Sequence, residues 1–415
     1  MERPRGGEPL SEMPVPKMKI LWASVFSLLD TSSGAAIAIR EMLMQLVRRG
    51  HDVDILGATV FDHPAGLSRI SDSWDQIRER TGQWVNVDDG ALRHRLYVTG
   101  ETVRPLLTSR EEAAWHEALL GRLEAFGPDI VFFYGGQTLE MLAAIDAQRA
   151  GAGVVAYLGN SSFHGKRWCR DVDLLLTASE ANAAFYRERE GYDVCPVGVF
   201  IDPAAVVAPA PRPDRVLFVN PTLEKGAAVV CRMAMLLERR RPDIVFEVVE
   251  ARGKWEDIVR LVTTAFGEPR DSLPNVVVTR NTADMRPVYG RARCLLVPTL
   301  CWESAGRVIV EAMLNGIPPI VSNRGGPPEM LGEGGLRIEF PPACYQPPYT
   351  ELPSDRFLEQ IIGKIVAFID DPAFHGHFSN HARRLAAAKH DLRRNTDVLE
   401  REFAALVARR KGSTP

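Results

Sequence analysis

Hydrophobic positions in this chain alternate between short continuous runs and stretches with a helical period, and the alternation repeats almost throughout. The run KMKILWASVF leads through the polar turn DTSSG into a pattern in which Ile39, Leu43, Leu46 and Val47 share one helical face. A short apolar run followed by that period predicts a buried strand, a loop and an amphipathic helix. Arg48 and Arg49 fall in the last helical turn, where cations suit the carbonyl end, and Gly50 closes the helix before the next apolar run, VDIL. A parallel unit with a crossover helix results. The runs GPDIVFFYGG, GVVAYLGN and DLLLTAS continue the series, so the first half reads as a doubly wound α/β domain.

The segment FIDPAAVVAPAPRP after Val199 has neither period and reads as a linker over 199–213. Beyond it the alternation restarts with DRVLFVN, a helix through Leu236, then DIVFEVVEA, NVVVT, CLLVP and PPIVSN. The predicted fold class is therefore α/β, with two doubly wound Rossmann-like domains facing a cleft. Their ranges are 18–198 and 214–385, with residues 1–17 as a flexible tail and 386–415 as a C-terminal helix that crosses back to the first domain. In open parallel sheets ligands bind beyond the carboxyl ends of the strands, so the cleft is the expected site.

Length agrees with two domains, because single cores stop growing well short of 415 residues. A formal net charge of -3 gives no bulk attraction to nucleic acid, which argues against that partner and leaves peripheral membrane contact open. Cys169, Cys195, Cys231, Cys294, Cys301 and Cys344 are scattered without a CxxC pair, as expected of reduced cytosolic thiols. The first seventeen residues lack the apolar core of a signal peptide, and no later run approaches membrane-spanning length, so the expected location is cytoplasmic.

The chemistry concentrates in CLLVPTLCWESAGRVIVEAMLNGIPPIVSNRGGPPEML. A strand ends at Pro298, a loop presents Glu303, and Ser304, Ala305 and Gly306 lead into a helix from about Arg307 to Asn315 that carries Glu311. The amides of Ala305, Gly306, Arg307 and Val308 sit at the start of that helix, where unsatisfied donors and the macrodipole attract phosphate.

This stretch resembles the retaining GT-B glycosyltransferases of family 4, whose hallmark is two glutamates separated by seven residues, with a Gly between them and an EA dipeptide at the second. The resemblance implies transfer of a sugar, with retention of configuration, from a UDP- or GDP-linked donor to a hydroxyl acceptor. It makes the first domain the acceptor side and the second the nucleotide-sugar side. It implies that Glu303 contacts donor-sugar hydroxyls and that Glu311 accepts from the ribose diol, a task that suits a carboxylate because it offers acceptors only. In RVLFVNPTLEKGAAVV, Lys225 resembles the family lysine on the donor diphosphate, where an ammonium offsets charge on the leaving group. Arg280, after NVVVT, matches the nucleobase position, and Gly34 is the one glycine kept from a two-glycine loop beside the diphosphate. Asn160 and His164 are acceptor-side candidates.

The chain departs from the family where a diphosphate-binding Gly-Arg is usual and Asn220-Pro221 stands instead. Arg307 or Arg324 would then supply the missing cation. Two DxD triplets, Asp52 with Asp54 and Asp171 with Asp173, lie at strand starts and read as structural, so neither a metal nor any other cofactor is expected. GxSxG, Walker and GxGxxG motifs are absent at the relevant places. A sugar-nucleotide epimerase of the same architecture and a non-catalytic nucleotide-sugar-binding protein are the alternatives.

Overall fold

The computed structural model describes residues 15–412, so most of the segment read as a tail lies outside the described residues. The first sheet contains β1 (Lys19–Ala23), β2 (Asp52–Ala58), β3 (Trp84–Asp89), β4 (Leu92–Tyr97), β5 (Ile130–Tyr134), β6 (Gly153–Tyr157), β7 (Leu174–Thr177) and β8 (Val194–Pro196). They lie in the order β3-β4-β2-β1-β5-β6-β7-β8 and are parallel except for the β3–β4 hairpin. The second sheet contains β9 (Arg215–Val219), β10 (Val245–Val249), β11 (Val276–Thr279), β12 (Ala292–Val297), β13 (Pro319–Ser322) and β14 (Leu336–Ile338). Its order, β11-β10-β9-β12-β13-β14, is parallel throughout.

Both orders run outward in opposite directions from a central pair, β1 with β5 and β9 with β12. At such a switch point the neighbouring connections depart to opposite faces and leave a crevice beyond the carboxyl ends. Trp22, Phe132 and Phe133 pack the first sheet and Phe218 and Phe246 the second, all at 1% exposure or less.

The β3–β4 hairpin, β8 and β14 have no counterpart in the sequence reading. β8 and β14 span three residues each, too few to show a period. The hairpin carries the Asp89-Gly90 turn signal, with Gly90 at φ 63°, but its strands alternate with charged positions instead of forming an apolar run. The 199–213 segment is also more structured than its composition suggests. Asp202 accepts from the Ala204 amide at 3.0 Å and caps a short helix, Pro203–Val206, while Phe200 and Ile201 are buried. Proline at the first helical position costs nothing, because that amide is unpaired in any helix.

Three helices close the chain, Asp355–Asp370, Pro372–Lys389 and Leu392–Gly412. The last lies on the first domain: the Phe403 ring meets Phe132 edge-on at 5.7 Å, and His51 contacts Glu400 at 2.8 Å. The His51 Nδ1 accepts from the Met18 amide, so Nε2 is the nitrogen that donates to Glu400. Among the described residues no helix is long and apolar enough to cross a membrane.

Candidate active site

A cleft of about 710 Å3 opens between the carboxyl ends of the two sheets. On the second domain it begins where β9 stops. Asn220 holds φ 65°, a left-handed conformation that glycine takes freely and that asparagine tolerates better than most side chains. This gives a backbone reason for asparagine where glycine is common, and its Oδ1 also accepts from the Arg252 amide at 3.0 Å. The turn ends at Gly226, with φ 80°, where a Cβ would lie 2.2 Å from the Pro298 carbonyl oxygen. Only glycine permits that approach, and the approach brings Lys225 against the loop that follows β12.

The result is an ion pair: Lys225 Nζ lies 2.8 Å from Glu303 Oε1, with both side chains about one-fifth exposed. Thr299 Oγ1 donates to the other oxygen, Oε2, at 3.1 Å, so the carboxylate is fixed from two sides. The ammonium has three donors and Glu303 takes one, which leaves two for an incoming anion. Behind Glu303 the Gly326 amide bonds its carbonyl at 2.8 Å. A Cβ on Gly326 would fall 2.2 Å from the Ser304 carbonyl oxygen, which explains the paired glycines of NRGG.

The helix Arg307–Leu314 starts from Gly306 at φ 90°, and no side chain caps its first amides. Ala305, Gly306, Arg307 and Val308 all line the cleft, so those donors face an open anion position. Glu311 is 8% exposed on its side chain. The Tyr289 hydroxyl donates to its Oε2, and Arg307 Nε lies 2.5 Å from Oε1 in a charge contact without hydrogen-bond alignment. Burial holds the Tyr289 phenol well above its usual range, and Glu311 reinforces the shift, so the phenol stays a donor. A carboxylate has about four lone-pair positions, and Glu311 therefore keeps acceptor capacity for a diol.

On the first domain the helix Gly34–Arg48 also points its start at the cleft. Asp30 beneath it accepts from the Ser32 and Asp62 amides at 2.7 Å each, and its burial pushes its carboxyl up. Further along, Arg40 Nη2 donates to Asp89 Oδ1 at 2.6 Å, and Arg69 stands 3.9 Å from the same carboxylate. Burial pushes the Asp89 carboxyl up, but the close His94 and Arg40 outweigh this and hold it well down. Arg40, Arg69 and Asp62 line the cleft and were not singled out from the sequence: Asp62 and Arg69 lie between β2 and β3 outside any motif, and the partner of Arg40, Asp89, stands at the end of β3. Trp302, Thr299 and Tyr289 were missed although they stand beside or within the quoted motif region.

Of the residues singled out from sequence, Gly34, Asn160, Lys225, Glu303, Ser304, Ala305, Gly306, Arg307, Val308 and Glu311 line one cleft. Three others do not. His164 is turned outward and pairs with Glu190 at 2.8 Å, because Asn160 and Ser162 form a tight turn that carries the following chain away. Arg280 is exposed outside the wall, whereas the next residues, Asn281 and Thr282, line it. Arg324 stacks on Tyr345 at 4.5 Å and is not part of the lining, so of the two arginines considered for the missing cation only Arg307 is in the cleft. Arg252 is a cleft-lining cation that the sequence did not suggest.

The DxD carboxylates have protein partners. Asp52 pairs with Lys17 at 2.7 Å and Asp54 with Arg122 at 2.6 Å, while Asp171 pairs with Arg170 at 2.7 Å and Asp173 with Arg410 at 3.0 Å. Among the described residues no group of three or more His, Cys, Asp or Glu is placed to hold a metal ion.

Two parallel-sheet bodies with a charged cleft at their facing switch points define the GT-B class of fold, and the chain has that fold. More particularly, residues 213–344 match the family described as Glycosyl transferases group 1, over the part of the chain that carries Lys225, Glu303 and Glu311. Among solved structures the chain is similar to a glycosyltransferase from Rickettsia africae, with a TM-score of 0.65 and 13% identity over 94% of this chain and 99% of that one. It is also similar to HepE of Anabaena in complex with UDP and glucose, with a TM-score of 0.62 and 16% identity over 94% and 100%. A third is the sucrose-phosphate synthase of Thermosynechococcus elongatus, with a TM-score of 0.64 and 13% identity over 95% and 100%. At these identities the likeness is one of fold. No curated protein matches the chain by sequence.

Proposed function

We propose that this chain is a retaining glycosyltransferase that moves a sugar from a UDP- or GDP-linked donor to a hydroxyl acceptor without a metal ion. The observation that carries the reading is the Lys225–Glu303 pair, set 2.8 Å apart at the β9/β12 switch point beside an uncapped helix start. Such a pair suits a nucleotide sugar better than either half alone. Glu303 offers acceptors to sugar hydroxyls, and Lys225, in contact with it, offers its remaining donors to the adjoining diphosphate. Glu311, one helical stretch further, offers acceptors to the ribose.

In the transfer the bond from the anomeric carbon to the diphosphate oxygen breaks and a bond to the acceptor oxygen forms on the same face, with the acceptor proton passing to the departing phosphate. Lys225 and the amides at Arg307 and Val308 meet the charge that accumulates there, which is where preorganised donors accelerate such a step. Arg307 and Arg252 are the second-domain arginines of the cleft lining available where the family arginine is replaced. A cytoplasmic setting belongs to the proposal, in keeping with the scattered free cysteines. Incubation with nucleotide sugars and a panel of hydroxyl acceptors tests the reading, with the product linkage followed by proton NMR. An α-linked product from an α-linked donor is expected. Inversion, or conversion of the donor sugar without acceptor, would replace the reading with inverting transfer or epimerisation.

A further inference from the structure

The loop that carries Glu303 belongs to the second domain in sequence, yet both neighbours of that glutamate are held by the first domain. The Trp302 ring stacks on Phe185 with centroids 4.7 Å apart and planes 30° apart, and its Nε1 donates to Asn182 Oδ1 at 3.2 Å. Trp302 thus packs with the hydrophobic cluster of the first domain, not with that of its own. Ser304 Oγ donates to the Gly159 carbonyl at 2.8 Å, and Ser179 Oγ donates to the Ser304 carbonyl. Nearby, the Glu329 carboxylate accepts from the Glu180 and Ala181 amides at 3.1 and 2.7 Å, so a side chain of one domain caps a helix of the other. Asn182 and Ser179 are themselves fixed, at no more than 1% exposure, within that helix start.

From this geometry we propose that Trp302 is a positioning residue for donor-sugar recognition, orienting Glu303 only while its indole is seated against Phe185 and Asn182. The inference rests on the donor reading of Glu303. The side chains of residues 302 and 304 anchor the loop to the first domain, while the Glu303 carboxylate faces the opposite way, to Lys225 and Thr299. If the domains part, Trp302 leaves its seat and the peptide bearing Glu303 loses three cross-domain hydrogen bonds. Nucleotide contacts behave differently. Glu311 and Lys225 are second-domain groups that do not depend on this seat for their own backbone placement. Through this seat the first domain therefore acts on the sugar end of the donor, whereas its contacts with the other end of the cleft, Thr31 and Ser68 to Asn281 at 2.7 and 3.0 Å, are separate from it. Gly159, bonded to Ser304, adjoins Asn160 on the acceptor wall, so the same seat joins the two halves of the cleft.

The distinguishing measurement is a ratio: the affinity of the full chain for a nucleotide sugar relative to its free nucleoside diphosphate, by calorimetric titration of UDP-glucose against UDP and GDP-mannose against GDP. In the parent the sugar should strengthen binding in one of these pairs. Trp302→Ala should weaken sugar-nucleotide binding by roughly tenfold, as expected for an aromatic anchor seated across an interface, while nucleoside diphosphate binding stays within about twofold. Trp302→Phe, which keeps a ring and loses the N–H, should fall between the two. Phe185→Leu repeats the test from the first domain at a residue outside the cleft lining and guards against a Trp302→Ala variant that fails to fold. A merely structural role would lower the melting temperature but leave the ratio unmoved. An unchanged ratio in folded Trp302→Phe and Phe185→Leu overturns the inference while leaving the donor reading intact. A parent that binds neither nucleotides nor nucleotide sugars overturns both.

Discussion

The two walls of the cleft are built from the same kind of fold and solve different problems. On the second domain three charged groups are braced: Lys225 by Glu303, Glu303 by Thr299, and Glu311 by Tyr289 and Arg307. On the first domain Arg40, in the helix Gly34–Arg48, and Arg69, after β2, share Asp89 at the end of β3, and Asp62 stands at the rim. A braced site fits a ligand with constant parts, a ribose and a diphosphate. Charges gathered from a helix, a loop and a hairpin fit a partner whose identity varies between proteins of one fold. The contrast makes the second wall the place where chemistry should fail on substitution.

The largest loss is expected at Lys225. With Asn220-Pro221 in place of the usual arginine there is little redundancy, so Lys225→Ala should lower kcat by about 100-fold or more, in the range seen when one transition-state donor is removed. Lys225→Arg should restore part, because a planar guanidinium keeps the sign of the charge but not its position. A folded Lys225→Ala with near-normal kcat would move the leaving-group role to Arg307 or Arg252.

Glu311→Ala should weaken nucleoside diphosphate binding by roughly 10–100-fold, the worth of a hydrogen bond to a charged group. Titration of the folded variant checks this, and unchanged affinity would remove Glu311 from the ribose.

Beneath the first wall the expected effect is on stability. Burial pushes the Glu140 carboxyl up to about 7 from an ordinary 4.5, against a partly compensating bond from Ser24. The folded state therefore holds this proton more tightly than the unfolded one. Its contribution is intact below about pH 4.5 and is lost as pH rises toward 7, by up to about 3 kcal/mol. Glu140→Gln should flatten the fall in urea-unfolding stability over that window, and an equally steep fall in the variant would acquit Glu140. The smallest effects belong to residues outside the cleft lining: His164→Ala and Arg280→Ala should each change kcat/KM by less than about twofold, as expected for exposed groups.

The same contrast explains what could be read in advance. Apolar runs revealed the strands that flank each switch point, because a strand covered on both faces is apolar along its whole length. Glu303, Glu311 and Lys225 were legible because their partners lie nearby in sequence or in a recurring motif. Arg40 and Arg69 were not, since Asp89 joins them only through a hairpin whose exposed face carries charges. Trp302 stood in full view beside Glu303, but its partners Phe185 and Asn182 are more than a hundred residues away. Arg280 and Asn281 differ by one position, and strand-end geometry put the second in the cleft instead of the first.

The central claim, that the braced wall holds a nucleotide sugar without a metal, is tested most directly by thermal unfolding of the full chain with UDP- and GDP-sugars in excess EDTA. A ligand that binds only the folded state raises the melting temperature with its concentration. The account predicts a saturable rise with one nucleotide sugar, undiminished by EDTA and smaller with the matching nucleoside monophosphate. No rise with any nucleotide sugar, or a rise that appears only when Mg²⁺ or Mn²⁺ is restored, would contradict it.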